Sequence, residues 1–445
     1  MVRNVLKTLD KWRISPRRRP LILRGARQVG KTWLARQLGK SFKTFIEINF
    51  ENQPEFHKIF RENFGKPEEL LKAISNYTEQ KVVPGESLLL FDEIQECKEA
   101  LVSLRYFYEN LPKQHVIATG SLLEFALKEL SFPVGRVEFL HVFPLSFQEF
   151  ILARNKLGWI EAIQKKDPIQ TSLEDLLLNE LRTYSLIGGM PEVIRTYIET
   201  EDLRECQEVQ QILVANYMAD FSKYASRAKV EHLKIIFENL PRFLGQKFKY
   251  SNVSEHYRAR ELSEALQLMK DAGLVYCVYH SSANGVPLGA QMNPKKFKVF
   301  FLDIGLCHRI LGLQLKHLFV SEPKNILVNR GGLAEQFVAQ EIVSTTLKNS
   351  APQLYYWHRE EKSANAEIDF VIEKNGKVFP IEVKSGNSGS QKSLNVFLKE
   401  KGLLQGLRVC PQKSGLSSFS MPLEVGKTAE IEQLGFYELY KIGEE

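Results

Sequence analysis

The stretch from Leu21 to Lys40 restricts the possible folds of this chain more than any other part of its sequence. It reads LILRGARQVGKTWLARQLGK, and it fits the pattern G-x-x-x-x-G-K-[ST] at Gly25, Gly30, Lys31 and Thr32. The apolar residues before the loop predict a short buried strand over 20–24, and the apolar spacing after it predicts a helix over 31–40. A strand, a glycine-rich loop and a helix in this order predict a phosphate-binding corner of a parallel α/β sheet.

The residue types in this loop suit nucleotide binding. Glycines allow backbone N–H groups to surround phosphates, and the amino terminus of the following helix favours negative charge. Lys31 is expected to reach the β- and γ-phosphates, and Thr32 to hold Mg²⁺ through its hydroxyl. A chance glycine loop is the alternative interpretation. The predicted nucleotide-binding residues of the loop are Gly25, Ala26, Arg27, Gln28, Val29, Gly30, Lys31, Thr32 and Trp33.

A second apolar run, SLLLFDE, ends in two acidic residues, Asp92 and Glu93. A fully buried parallel strand has this composition, and an α/β sheet binds its ligand at the carboxyl ends of its strands. We therefore expect Asp92 to orient Mg²⁺ and Glu93 to polarise the attacking water. Acidic residues that cap a helix after an ordinary strand are the alternative.

The segment HVIATGS, residues 115–121, predicts a third strand that ends in hydroxyl groups. A polar residue here, with Ser121 as the candidate, would sense the γ-phosphate between the two other motifs. An ordinary strand followed by a helix cap would have the same sequence.

Together these segments resemble the AAA-type P-loop ATPases, and further motifs make the resemblance more specific. GARQVGKT, LLLFDEIQ, ATGSLLEF, VGRVEFLHVFPLSFQEF and GGMPEVI, in this order, resemble the bacterial and archaeal ATPases called AAA_14, which carry a carboxyl-terminal DUF4143 region. The resemblance extends from about Lys11 to Gly386. It implies ATP and Mg²⁺ as the bound cofactors.

The resemblance also implies roles for two further positions. Arg136 lies near the place where related ATPases carry an arginine finger, which often acts on a neighbouring subunit and therefore requires an oligomer. An arginine that pairs with a carboxylate for structural reasons is the equal alternative. The element Gly188–Pro191 resembles one that packs near the adenine in related ATPases, although the same residues also simply break a helix.

The middle of the chain is mostly helical in pattern. Residues 172–224 have the apolar spacing of helices, and we interpret them as the lid of the ATPase. From about Tyr250 the pattern predicts two helices followed by strands over 274–279 and 298–302, which is typical of a winged helix that contacts DNA or protein. Acidic residues oppose the basic ones on the second helix. The cluster of Lys295, Lys296 and Lys298 is expected to be solvated charge.

Near the carboxyl end, AEIDFVI and VFPIEVK predict two strands joined by an Asn-Gly turn. The hairpin would bring together Asp369, Glu382 and Lys384, an arrangement that resembles the PD-(D/E)xK nucleases. The preceding helix, with Glu335 as an additional acid, resembles their first helix. Asp369 and Glu382 would hold Mg²⁺, and Lys384 would steady the attacking hydroxide. Alternating charge on a half-exposed strand also produces E-x-K, and a fold can lack its usual activity.

Composition limits the class of protein. No stretch reaches the roughly 18 to 20 apolar residues of a membrane helix, and the amino terminus lacks the apolar core of a secretory signal. The five scattered cysteines form no CxxC pair, so we expect reduced thiols in a cytoplasmic protein. The net charge of +7 permits contact with nucleic acid without requiring it.

The sequence therefore predicts an α/β protein in three parts. These are a P-loop NTPase domain with a parallel sheet and a helical lid over 1–225, a central winged-helix-like domain over 226–325, and a restriction-endonuclease-like α/β domain over 326–445. The main hypothesis is an ATPase that couples hydrolysis to DNA binding or processing. The rival hypothesis is a nucleotide-dependent signalling switch whose later domains bind protein partners and cleave nothing.

Overall fold

The structure, a computed structural model, describes residues 2–120, 135–165, 169–225, 227–313, 331–346, 353–360, 366–386, 391–411, 418–424 and 427–443. Two β-sheets organise these residues. A five-stranded sheet lies in the amino-terminal part, and an eight-stranded sheet is formed by strands from the rest of the chain.

The first sheet is parallel throughout, with the strand order β2-β3-β4-β1-β5. Its strands are β1 (Leu21–Arg24), β2 (Thr44–Asn49), β3 (Ser87–Asp92), β4 (His115–Thr119) and β5 (Glu138–His141). The helices around it are α1 (Val5–Ile14), α2 (Lys31–Gly39), α3 (Glu55–Glu62), α4 (Pro67–Thr78) and α5 (Lys98–Asn110), with a short 3₁₀ turn at Ile94–Glu96. Every residue of β3 and β4 is buried, as in a sheet covered on both faces. The predicted P-loop NTPase α/β fold is confirmed.

The strand order decides which loops meet. β4 lies between β1 and β3, and all three strands run in the same direction. Their carboxyl ends therefore share one edge of the sheet, which brings the glycine loop, Thr119 and Asp92 to the same place.

A layer of helices follows the first sheet. These are α6 (Phe147–Ala153), α7 (Leu157–Gln164), α8 (Thr171–Ile187), α9 (Pro191–Thr200), α10 (Leu203–Tyr224) and α11 (Arg227–Asn239), followed by a 3₁₀ turn at Leu240–Phe243. The helices α8 to α10 coincide with the segment predicted as the lid. Helix α8 ends at Gly188, whose φ of 75° suits glycine, and α9 starts at Pro191, which suits a first helical turn.

Helices and strands occupy the segment predicted as a winged helix, but the first helix has only four residues, and the winged-helix assignment stays a prediction. These elements are α12 (Tyr250–Val253), α13 (Ala259–Asp271), β6 (Val275–Ser281), the 3₁₀ turn Leu288–Gln291, β7 (Met292–Phe301) and then α14 (Ile304–Ile310). Strands β6 and β7 are antiparallel neighbours. β6 also pairs in parallel with a strand from the carboxyl-terminal part, so β6 and β7 both belong to the second sheet.

The second sheet has the order β12-β13-β11-β10-β9-β8-β6-β7. Its later strands are β8 (Leu354–His358), β9 (Glu367–Lys374), β10 (Lys377–Val383), β11 (Gln405–Cys410), β12 (Ser418–Glu424) and β13 (Lys427–Gly435). The accompanying helices are α15 (Gly331–Thr346), α16 (Lys392–Lys401) and the 3₁₀ segment Phe436–Gly443. The sheet joins strands from both sides of the boundary placed at 325/326, and the three domain limits stay predictions of the sequence.

Two simpler expectations concern membranes and thiols. Among the helices of the described ranges, none has the length and apolar character needed to cross a membrane. All five cysteines are buried free thiols.

Candidate functional site

The glycine loop adopts a backbone that only small residues allow. Gly25 has a φ of 136°, and a Cβ there would lie 2.1 Å from the carbonyl oxygen of Val142 on the neighbouring chain segment. Gly30 has a φ of 95° and directly precedes α2. The two glycines of the motif are thus required by the turn from β1 into α2.

Lys31 folds back onto the loop. Its Nζ donates hydrogen bonds to the carbonyl oxygens of Gly25 at 2.9 Å and Ala26 at 2.8 Å. Burial lowers the pKa of Lys31 to about 8, although the nearby carboxylates of Glu93 and Asp92 raise it. The amine therefore occupies the concave side of the loop, where its partners are neutral oxygens.

The carboxylate of Asp92, at the end of β3, contacts side chains from three other segments. Its Oδ1 accepts hydrogen bonds from Thr32 Oγ1 at 3.1 Å and from Thr119 Oγ1, and its Oδ2 accepts one from Asn49 Nδ2 at 3.2 Å. Three side chains therefore orient one buried carboxylate at the carboxyl edge of the sheet.

Glu93 follows Asp92 in a left-handed backbone conformation, with a φ of 48°. Gln95 Nε2 donates a hydrogen bond to Glu93 Oε2 at 2.6 Å. Ser121, the predicted sensor of the γ-phosphate, lies outside the described residues, and the strand before it ends at Thr119.

A cavity of about 660 Å³ opens between the loop and the helical lid. The sheet side of its lining includes Lys31, Thr32, Asp92 and Glu93, and the lid side includes Pro191, Glu192, Arg195, Val209 and Leu213. The predicted loop residues Arg27, Gln28, Gly30 and Trp33 also line it. The cavity therefore collects most of the predicted nucleotide-binding residues from segments far apart in the chain.

The last helix of the lid, α10, contacts the phosphate loop directly. Arg27 pairs with Asp220 of α10, with an N–O distance of 2.5 Å, and the hydroxyl of Tyr217 donates to the carbonyl oxygen of Arg27 at 2.7 Å. The Cγ atom of Pro191 lies 3.7 Å from the position of a Cβ on Gly30. The glycine-proline element thus sits directly beside the phosphate loop, which the sequence alone left open.

Arg136 lies at the amino-terminal end of the edge strand β5, whereas the cavity lies at the carboxyl ends of the strands. It precedes β5, and its Nε is 3.2 Å from Glu109 Oε1 near the end of α5. Arg136 is not among the described residues that line the cavity. An action on the nucleotide of this same chain is therefore not supported, and its role as a finger for a neighbouring subunit stays a prediction.

The carboxyl-terminal hairpin forms as predicted. β9 and β10 are antiparallel, and Asn375 and Gly376 turn between them with φ values of 52° and 67°. Asp369 Oδ2 accepts a hydrogen bond from the backbone N of Val383 at 2.8 Å. Lys384 Nζ lies 2.7 Å from Glu382 Oε1.

Lys298 connects this hairpin to α15. Its Nζ lies 2.6 Å from Glu367 Oε1, 2.9 Å from Glu335 Oε2 and 3.8 Å from Asp369 Oδ1. The residue is only 1% exposed. The expectation that Lys298 is solvated charge is wrong, because β7 packs against α15 and the ammonium of Lys298 pairs there with Glu335. Lys295 is exposed as expected, and Lys296 is partly exposed and pairs with Glu360.

Comparison with protein families matches three segments of the chain. The model of an AAA domain, AAA_14, matches residues 17–151. The chain carries an AAA domain. Two families described as domains of unknown function match the segments that follow, DUF8612 over residues 178–317 and DUF4143 over residues 330–423. The resemblance inferred from the motifs is thus confirmed, and DUF8612 spans the boundary predicted at 225/226.

The AAA domain and the segments after it also have relatives among full proteins. Uncharacterized proteins of Mycobacterium bovis and Mycobacterium tuberculosis are each 23% identical over 377 residues, which cover 83% of this chain and 71% of the relative. Similar solved structures include the ORC1 protein of Aeropyrum pernix in complex with DNA, with 13% identity, a TM-score of 0.30, and coverage of 70% of this chain and 93% of that one. Another is PCH-2 of C. elegans, with 14% identity, a TM-score of 0.27, and coverage of 45% and 64%.

Three polar residues at or near the cavity of the AAA domain, Asn49, Thr119 and Arg195, were not assigned a role from the sequence. Asn49 binds Asp92 because it is the last residue of β2 and lies directly opposite Asp92 in the register of the two strands. Arg195 reaches the cavity because it lies about one helical turn after Pro191. Its position in the sequence offered that signal, since residues four apart share one face of a helix. Thr119 belonged to a predicted segment, but no separate role was assigned to it.

Burial dominates the electrostatics of the carboxyl-terminal cluster. It raises the pKa of Glu335 to about 8, with a further contribution from Asp369. Burial also raises the pKa of Asp369 and that of Glu382. Burial alone would lower the pKa of Lys298, but the carboxylates of Glu335, Asp369 and Glu367 together raise it. The cluster therefore holds its one central ammonium charged.

Proposed function

We propose that the AAA domain binds ATP with Mg²⁺ and hydrolyses it. The observation that carries this proposal is the contact between Thr32 Oγ1 and Asp92 Oδ1, at 3.1 Å. These side chains are the two expected to orient Mg²⁺, and they belong to segments 60 residues apart. A hydroxyl and a carboxylate oxygen suit this cation, so the residues present fit it.

The residues of the cavity each have a defined task in this proposal. Lys31 exchanges its two carbonyl partners for oxygens of the β- and γ-phosphates, and the backbone N–H groups of the loop surround the same phosphates. Glu93 orients the attacking water after its carboxylate leaves the amide of Gln95. Mg²⁺, when bound, neutralises charge on the phosphate oxygens.

The test measures ATP binding and steady-state hydrolysis. Lys31→Ala and Glu93→Gln are each expected to lower kcat by about 10²–10³-fold, because each removes a group that acts in the transition state. Lys40→Ala is the matched control, since Lys40 is an exposed lysine just after α2. Hydrolysis that is unchanged in Lys31→Ala, or no affinity of the wild type for ATP, would overturn the proposal.

We also propose that the nucleotide state reaches the second sheet through the turn at Gly273. A Cβ on Gly273 would lie 3.1 Å from the backbone N of Ala26, so this turn touches the phosphate loop. The next residue, Leu274, accepts a backbone hydrogen bond from Leu302 at 2.9 Å, beside the end of β7. A movement of the loop on ATP binding is thus passed directly to the strand that carries Lys298.

The carboxyl-terminal site is the proposed target of this coupling. Asp369 and Glu382 lie on neighbouring strands, Lys384 directly follows the second of them, and Glu335 reaches the same cluster through Lys298. This is the arrangement of groups that would hold Mg²⁺ and a phosphodiester in a PD-(D/E)xK nuclease, and DNA is the proposed substrate.

One observation favours a second candidate function. Lys298 already pairs with two of the three carboxylates that would hold the metal ion, Glu335 and Asp369. A nucleotide-dependent switch that binds a partner without cleaving DNA fits this filled cluster.

Strand scission distinguishes the two candidates. Wild type and Asp369→Asn are incubated with supercoiled, linear and branched DNA and Mg²⁺ or Mn²⁺, with and without ATP. Cleavage by the wild type alone supports an ATP-linked nuclease. No cleavage by either protein, with ATP hydrolysis intact, supports the switch.

A further inference from the structure

The ammonium of Lys298 is surrounded by carboxylates, which are also the ligands that a metal cation would use. This ammonium lies within 4 Å of carboxylate oxygens on Glu335, Glu367 and Asp369, which come from α15 and β9. The side chain of Lys298 is 1% exposed, so bulk solvent does not hydrate this ammonium. The side chains of Glu335 and Asp369 are mostly buried, and Glu367 is about a third exposed. Carboxylates removed from water are costly unless a positive charge pairs with them, and the lysine supplies one such charge from within the chain.

The neighbouring Glu382 shows that this arrangement leaves one ligand unused. Glu382 is 2% exposed, and its Oε1 pairs with Lys384 at 2.7 Å. Its Oε2 is buried and has no hydrogen-bond partner within the described part of the chain. A single ammonium donates three hydrogen bonds, whereas a divalent cation takes six or more oxygen ligands. The orphaned oxygen is therefore a ligand that Lys298 does not satisfy.

We propose that Lys298 and a divalent cation are alternative occupants of one site formed by Glu335, Glu367, Asp369 and Glu382. In the conformation described, Lys298 fills the site and divalent metal is excluded, because two cations in one small cluster repel each other. Glu367 becomes a ligand of this site in addition to the residues of the nuclease-like motif. The inference rests on the proposed nuclease-like metal site and adds what controls its occupancy.

The position of Lys298 in the fold makes the exchange feasible. Lys298 lies on β7, the last strand in the order of the second sheet, which pairs with β6 on one side and has a single bridge, between Lys298 and Lys247, on the other. A displacement of this strand removes the ammonium without disturbing β9 and β10, which carry Glu367, Asp369 and Glu382. Metal binding and the position of β7 are then linked, so that a change in either one affects the other.

The experiment measures Mn²⁺ binding by electron paramagnetic resonance, without nucleotide, in full-length protein that carries Asp92→Asn to remove the metal ligand of the AAA domain. Lys298→Met is expected to bind one additional Mn²⁺ at least about tenfold more tightly than the protein with Lys298 intact, a difference of about 1.4 kcal/mol. The added site is expected to disappear in Lys298→Met combined with Asp369→Asn.

Lys296→Met is the matched control, since Lys296 lies on the same strand and pairs with Glu360 instead. It is expected to gain no Mn²⁺. Equal Mn²⁺ affinity in Lys298→Met and its parent, or a gain that survives Asp369→Asn, would overturn the proposal.

Loss of the buried lysine is expected to weaken folding, and this effect provides a second readout. Mn²⁺ is expected to raise the Tm of Lys298→Met and to leave the Tm of Lys296→Met unchanged. If Lys298→Met does not fold at all, reductive methylation of the wild type decides the question. Lys298 must then resist modification while Lys296 is modified, and equal modification of both overturns the proposal.

The readouts separate this inference from the proposed function. Failure to find the Mn²⁺ site removes the role of Lys298 and leaves ATP hydrolysis untouched. Absence of ATP hydrolysis or of DNA cleavage, conversely, does not alter the expected Mn²⁺ binding of Lys298→Met.

Discussion

Two buried lysines, Lys31 and Lys298, stand at the centres of the two candidate sites and differ in their partners. Lys31 donates to the neutral carbonyl oxygens of Gly25 and Ala26, and burial lowers its pKa to about 8. Lys298 contacts three carboxylates, and these raise its pKa despite burial. The same side chain is therefore weakly held in the first site and tightly neutralised in the second.

The partners of each lysine indicate which ligand each site can accept. A lysine held by carbonyl oxygens gains from an incoming anion, because phosphate oxygens offer the charge that the carbonyls lack. A lysine held by carboxylates already has that charge and instead competes with incoming cations. The first site is open to its ligand in this conformation, and the second contains its own counterion.

If the two lysines are held differently, replacing them should change the free energy of unfolding by different amounts. Lys298→Ala is expected to lower the free energy of unfolding by about 2–4 kcal/mol, because it leaves the mostly buried carboxylates of Glu335 and Asp369 without their counterion. Lys31→Ala is expected to cost less than about 1 kcal/mol, because its carbonyl partners turn to water in the cavity. Urea denaturation of both variants is the measurement. Equal losses would show that the two lysines are bound alike.

The next prediction concerns the link between the two sites. Gly273 and Gly376 have similar φ values, 72° and 67°, but only Gly273 has neighbours within 4 Å of an added Cβ, in the phosphate loop. Alanine at either position is expected to cost about 1–2 kcal/mol of stability through the backbone. Only Gly273→Ala is expected to change kcat or KM for ATP. The same ATP kinetics in both variants would argue against a direct connection through this turn.

A third prediction uses a buried carboxylate without such a lysine among its described partners. Glu341 accepts hydrogen bonds from the backbone N of Phe147 at 2.9 Å and from the hydroxyl of Tyr184 at 3.4 Å. Burial raises the pKa of Glu341 from 4.5 to about 8. Between these values the folded chain binds more protons than the unfolded chain, so stability contributed by this group falls as pH rises through the window.

Glu341→Gln removes the titrating group, and with it the proton that the wild type releases on unfolding in this pH range. Its Tm, relative to the wild type, is expected to rise between about pH 5 and about pH 8.5. Thermal unfolding across this range is the measurement, and Glu69→Gln, at an exposed position on α4, is the control. A Tm difference that stays constant with pH would mean that Glu341 does not titrate in this window.

The smallest expected effect is at Arg136. It shares Glu109 with Arg105, and both pairs are largely exposed, so Arg136→Ala and Arg105→Ala are expected to leave Tm close to that of the wild type. ATP turnover as a function of protein concentration extends the test. A fall in kcat confined to Arg136→Ala, and present only at concentrations where the chain associates, would assign the arginine finger.

The local elements of both sites could be predicted from short-range sequence patterns. The loop from Gly25 to Thr32, the strand that ends at Asp92 and the hairpin around Asn375 lie where their patterns predict. Each of these elements is specified by residues within about a dozen positions of one another, since glycine spacing, apolar runs and turn residues act over short range. The AAA domain could be inferred for that reason.

The contacts between side chains of different elements depend on tertiary packing, and the sequence patterns did not predict them. Asn49 meets Asp92 through the register of β2 against β3, and the lid places Asp220 on Arg27 across nearly 200 residues. Lys298 looks like surface charge in sequence, because a lysine is normally solvated unless it is paired. Its burial depends on β7 joining the strand that pairs with β8, and on α15 lying over both. No pattern around residue 298 encodes the three carboxylates, since their positions follow from the packing of distant elements.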